Sequence, residues 1–142
     1  MNAYVKQNIM LPISLHDARV TKIIVNQSSD IMCGSLRFEF EQGFYKVEDE
    51  AAHQTGKSFL EISGIDYDFS HVYYYKGNQR EAMSFNKFAR EVEGNAFEIM
   101  DETYGYNKTK LSGLLMSEHQ SYDIEIEIEI YHFNASVYTW ED

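Results

Sequence analysis

The run DIEIEIEIYH, residues 123–132, constrains this chain more than any other segment. Ile124, Ile126, Ile128 and Ile130 alternate with Glu125, Glu127 and Glu129, and a period of two sends the isoleucines to one face and the glutamates to the other. The chain therefore contains a long strand, buried on one side, and a sheet to which it belongs. Adjacent glutamates on one face lie about 7 Å apart, where two unit charges repel by roughly 0.6 kcal/mol in water. A stable β domain tolerates that cost. Three readings of the acidic face stay open: a solvated surface, a docking surface for a basic partner, or a pair of catalytic carboxylates. The last fits least, because acid and base catalysis needs carboxyls in two different environments at a cleft, and the repeat offers three similar ones.

The rest of the chain reads mostly as strands. ARVTKIIVN, residues 18–26, is β-branched and precedes the turn cluster Gln27 to Asp30, and in SLRFEFE the residues Leu36, Phe38 and Phe40 alternate with charged neighbours. FYKV follows Gly43, residues 48–57 read as a polar surface loop, and SFLEISGIDYDF reads as a strand whose Gly64 marks a bulge or a close backbone approach. VYYYK closes at Gly77-Asn78. One helix is expected near 84–93: Ser84 suits an N-cap, Phe85, Phe88, Ala89 and Val92 follow helical spacing, and Gly94 suits the stop. Further strands are expected over 96–101, 110–117, 122–132 and 136–141, with turns at 104–107 and 133–135 implying antiparallel neighbours. The fold class is α+β, mainly antiparallel, with about seven or eight strands in a curled sheet or barrel-like meander. Residues 1–142 form a single domain in which residues 1–15 are a lead-in arm.

Composition narrows the chemistry. With 12 Lys plus Arg against 23 Asp plus Glu the formal charge is −11, and residues 93–142 hold only Lys108 and Lys110 as cations. Such a surface repels phosphate backbones and anionic lipid, so neither nucleic acid nor a membrane is an expected partner. The single Cys33 forms no internal bridge, and without a CxxC pair or a Cys/His cluster no metal site and no cofactor is expected. Cys33 itself, in the strand-like IMCGSL, reads as a small packed hydrophobe. The start lacks a leader pattern and no stretch nears the roughly 20 apolar residues of a membrane helix, which together place the chain in the cytoplasm.

Two other features attract a functional reading. His16-Asp17 places an imidazole beside a carboxylate, yet His53, His71, His119 and His132 are scattered without ligand spacing; a structural role at a strand entry, Asp17 accepting backbone N–H groups, is the simpler account. Tyr73, Tyr74 and Tyr75 suggest a stacking platform, but the strand period sends Tyr74 to the face opposite the other two.

Leu15-His16-Asp17-Ala18-Arg19-Val20, then LRFEF, and the closing EIEIEIYHFNASVYTWE resemble small β-rich bacterial proteins that begin with an HDA-type strand. Some families of this appearance are immunity proteins of polymorphic toxin systems, acidic proteins that bind and block a cognate toxin. The resemblance implies a non-enzymatic, protein-binding or inhibitory role but assigns no residue. The candidate binding residues, taken from the strand itself, are Glu125, Glu127 and Glu129, with Asp123 and an exposed Tyr131 beside them as an aromatic anchor, and the partner is a basic protein such as a toxin. The alternatives are an oligomerisation module in which the DIEIEIEI strand is a sheet edge pairing with a second copy as a homodimer, and a small enzyme using His16 and Asp17.

Overall fold

The computed structural model describes residues 1–8, 10–117 and 123–142. The first half of the chain supplies β1 (Ile13–Ser14), β2 (Arg19–Val20), β3 (Lys22–Asn26), β4 (Ser35–Phe40), β5 (Tyr45–Glu48), β6 (Ala51–Gln54) and β7 (Ser58–Ser63). The second half supplies β8 (His71–Lys76), β9 (Gln79–Met83), the helix α1 (Phe85–Glu93), β10 (Ala96–Gly105), β11 (Lys108–Met116), β12 (Ile124–Tyr131) and β13 (Val137–Trp140). All pairings are antiparallel. They build three sheets: β1-β5-β6, β2-β10-β11-β12-β8-β9 and β13-β7-β4-β3. The α+β, β-rich class is as the patterning implies, but the sheets do not close into a barrel. The described residues form thirteen strands rather than seven or eight, because β1, β6 and β9 are short polar or mixed segments without a clear period and residues 18–26 divide into β2 and β3.

Alternation decides what is inside. Leu36, Phe38 and Phe40 of β4, Leu60 and Ile62 of β7, and Ile126, Ile128 and Ile130 of β12 are buried. They meet Phe97, Ile99, Leu111 and Leu115 from β10 and β11 in one continuous core shared by the six- and four-stranded sheets. The helix covers this core. Phe85, Phe88 and Val92 are buried, and the Ser84 hydroxyl caps the helix by accepting from the Lys87 N–H at 3.0 Å.

Several expectations need correction. Residues 18–26 are not one strand. The chain leaves the six-stranded sheet after Val20 and enters the four-stranded one at Lys22, and at the crossing the Thr21 N–H donates to the Glu39 carbonyl at 2.8 Å. The polar loop at 48–57 contains β6, because Asp49 and Glu50 both take positive φ (51° and 63°) and close a two-residue hairpin without glycine or asparagine. The arm is shorter than 15 residues: β1 pairs with β5, Leu15 is fully buried, and its N–H donates to the Glu102 carboxylate at 2.7 Å. Cys33 is exposed, because Asp30 accepts from Met32 and winds residues 31–33 into a single 3-10 turn.

The corner at 133–135 does not fold β13 back onto β12. At His132 the chain bridges to Ile65, the Phe133 N–H donates to the Gly64 carbonyl at 2.9 Å, and the Asn134 amide donates to the Ser63 hydroxyl. These bonds carry the chain across to β7, in the other sheet. Gly64 is required here: its φ is 67°, and an added Cβ would meet Asn134 at 3.0 Å.

Candidate functional site

β12 is the fourth strand of the six-stranded sheet, between β11 and β8. An edge role for the DIEIEIEI strand is therefore overturned, since β11 pairs with it over Ile124–Tyr131 and β8 occupies its other side over Ile126–Glu129. Its odd-numbered side chains, Glu125, Glu127, Glu129 and Tyr131, share the outward face with Lys108 and Lys110 of β11 and with His71, Tyr73 and Tyr75 of β8. Four of the five candidate residues thus lie in one row, and Asp123 immediately precedes the strand. Tyr122 and His119 fall outside the described residues.

The three glutamates occupy different environments, contrary to the uniform ladder their repeat suggests. Glu127 is the most enclosed: Lys110 Nζ lies 2.7 Å from one carboxylate oxygen, and the Tyr75 hydroxyl donates to the other at 2.5 Å. The Lys110 hydrogen bond, followed by the Tyr75 one, holds the Glu127 carboxyl below its ordinary pKa, and the same contacts push Lys110 and Tyr75 upward. Glu129 lies 3.8 Å from Lys108 Nζ, a loose pair with the carboxylate largely covered. Glu125 is exposed, opposite Leu114. Asp123 is exposed too and lines an open cleft of about 320 Å³ with Arg19, Asn95 and Met116.

Tyr131 is half-buried rather than exposed, because its ring packs between Phe69 and Phe133 at centroid distances of 6.4 and 5.7 Å. The exposed aromatic surface belongs instead to those two neighbours, which are 69% and 50% accessible. Sequence pattern does not single out either one: Phe69, expected at the end of a strand over 58–69, lies in a 3-10 turn beyond β7, which ends at Ser63, and Phe133 lies in a corner, where no periodicity exists to assign a face. The tyrosine triplet behaves as its period requires. Tyr74 packs against the core, while Tyr73 and Tyr75 face outward, Tyr73 beneath the Arg80 guanidinium at 4.0 Å.

His16 and Asp17 form a local pair, Nδ1 to Oδ2 at 3.1 Å, with both side chains more than half exposed. Asp17 has φ 65°, and its own N–H donates to the Ile99 carbonyl, so the residue shapes the turn through its backbone as a donor and not through a carboxylate that accepts N–H groups. Among the described residues no three His, Cys, Asp or Glu side chains converge as a metal-ligand set, and no helix is long and apolar enough to cross a membrane. Compared with models of protein families, with curated proteins and with solved structures, the chain matches none of them.

Proposed function

We propose that the protein is a non-enzymatic binding protein that docks a basic protein partner on the outward face of its six-stranded sheet, in the manner of an immunity-type inhibitor. The supporting observation is the row from Glu125 to Tyr131 on a strand that lies between β11 and β8. Glu125 and, just before the strand, Asp123 stand exposed at one end with no ion pair among the described residues, and an exposed aromatic cluster stands at the other. A sheet face paired with β11 over Ile124–Tyr131 and with β8 over Ile126–Glu129 keeps its shape on binding, so little conformational freedom is lost when a partner lands. With a chain charge of −11, long-range attraction steers a basic partner toward it. The mechanism is occlusion.

The pairing on this face determines how the reading is tested. Replacing all three glutamates by lysine would set cations against Lys108 and Lys110 and perturb the sheet as well as the surface. Asp123→Lys with Glu125→Lys inverts only the two exposed charges that have no ion pair among the described residues. Retention of basic proteins from a source-cell lysate at low and moderate salt, identified by mass spectrometry, is the test. A basic protein held by the native chain, released by salt and lost in the double variant supports the reading; identical retention by both overturns it.

A further inference from the structure

Phe69, Tyr131 and Phe133 form a continuous ring cluster at the end of β12, the outer rings inclined by 52° and 82° to Tyr131. Leaving two phenylalanines in water forgoes the burial that drives the rest of the fold. Yet the backbone that presents them is tightly held. The Asp66 N–H donates to the Tyr131 carbonyl at 2.9 Å, and the Ser70 hydroxyl accepts from the Tyr131 N–H at 2.9 Å while donating to the Asp66 carbonyl at 2.7 Å. The Phe133 N–H is fixed on Gly64. The rings are thus exposed on a rigid frame, as a preorganised anchor site requires.

The surroundings are mainly acidic. Asp66 and Asp68 precede Phe69 in the same turn, where the Asp66 carboxylate accepts from the Asp68 N–H, and Glu129 shares the face of Tyr131 with the Lys108 ammonium of β11 and the His71 ring of β8. Three other rings carry the chain's own cations: Arg37 lies 4.2 Å over Phe59, Arg80 lies 4.0 Å over Tyr73, and Lys46 and Lys57 lie 5.8 Å over Trp140 and Phe59. Among the described residues no cation covers the three clustered rings. The internal examples also separate the two cation types, since guanidinium groups stack more than 1.5 Å closer than the ammonium groups do. This agrees with the planar, weakly hydrated character of arginine.

We propose that the Phe69–Tyr131–Phe133 cluster is the seat for an arginine side chain of the basic partner, its guanidinium stacked on an exposed ring and its charge facing Asp66, Asp68 and Glu129. This inference rests on the docking face described above and adds the contact that fixes where along it the partner sits.

The test is an NMR titration of the aromatic ring signals with the blocked peptide acetyl-Gly-Arg-Gly-Gly-Arg-Gly-amide, with its lysine counterpart, and with a counterpart carrying citrulline in place of arginine. The arginine peptide is expected to shift the Phe69, Tyr131 and Phe133 rings saturably. Binding should weaken about two- to fivefold with lysine, with citrulline, and in the Phe69→Ala or Phe133→Ala variants, the range of an exposed cation–ring contact. Both phenylalanines are exposed, so these variants keep the fold. Unmoved ring signals, or equal binding of the citrulline peptide, overturn the anchor. Lysate retention that is lost in Asp123→Lys, Glu125→Lys but unchanged in Phe69→Ala, Phe133→Ala overturns it as well, and leaves the acidic docking face standing.

Discussion

Lys110 binds Glu127, not the Glu129 that lies directly opposite it. The register pairs Lys110 with Glu129 and Lys108 with Tyr131, yet the two ammonium groups reach diagonally, to Glu127 at 2.7 Å and to Glu129 at 3.8 Å. Diagonal neighbours are within reach of long side chains across an antiparallel pair. The shift uses both lysines of the acidic C-terminal segment on the middle and last glutamates and leaves Glu125 without an ammonium. Glu127 is consequently a brace between β11 and β8, joined to one by Lys110 and to the other by Tyr75.

That brace gives a pH dependence. A carboxyl whose pKa is lowered on folding contributes stability above its unfolded value of 4.5, and the contribution is lost as pH falls through the folded value. Lys110 and Tyr75 are shifted upward, so their contributions hold below their ordinary values of 10.5 and 10.0 and fade as pH rises through the folded ones. An NMR titration of the side-chain carboxyls should find Glu127 titrating below its ordinary range. In Lys110→Met its pKa should rise toward that range, with a smaller rise in Tyr75→Phe.

The isoleucine face of β12 carries the stability. Ile128 is 1% exposed within the shared core, and Ile128→Ala should destabilise the protein by about 2–5 kcal/mol, the range for removing a buried branched side chain and leaving a cavity. Urea denaturation should show a lower midpoint with an unchanged slope.

Gly113 is required by backbone packing. It lies on β11 opposite Ile99, beside the irregularity of β10 at Met100, where a Cβ would land on the Glu98 carbonyl oxygen and within 3.1 Å of the Ile99 Cα. Backbone cannot move aside as a side-chain tip can. Gly113→Ala should cost about 1–3 kcal/mol, the range for overpacking a dense interior, measured by thermal unfolding against an Ala control at exposed Gly94, where nothing lies within 4 Å.

The His16–Asp17 pair should matter little to folding. Both side chains are more than half exposed, and exposed ion pairs contribute about 0–1 kcal/mol. His16→Ala should leave the unfolding midpoint almost unchanged; a large loss would show that the pair does structural work beyond its visible contacts.

What was legible in the sequence followed from period. Alternation in residues 36–40 and 124–130 identified the buried faces, and helical spacing with Ser84 and Gly94 bounded α1 to within one residue. What was not legible depended on partners distant in the chain. The sheet crossing at Thr21 depends on Glu39, the passage from β12 to β7 depends on Gly64 and Ser63, and the Asp49-Glu50 turn departs from ordinary turn chemistry. The same limit applied at the candidate site. Glu125, Glu127, Glu129 and Tyr131 could be placed on one face by counting, whereas the lysines and Tyr75 that distinguish the glutamates, and the Phe69 and Phe133 rings beside Tyr131, come from other strands and turns.

Docking of a basic partner on the outward face of the six-stranded sheet is open to a kinetic test: the association rate with the basic protein retained from lysate, measured against ionic strength for the native chain and for Asp123→Lys, Glu125→Lys. The rate should fall steeply with salt for the native chain and show a slower, flatter dependence for the variant. A rate indifferent to both salt and substitution would contradict such docking.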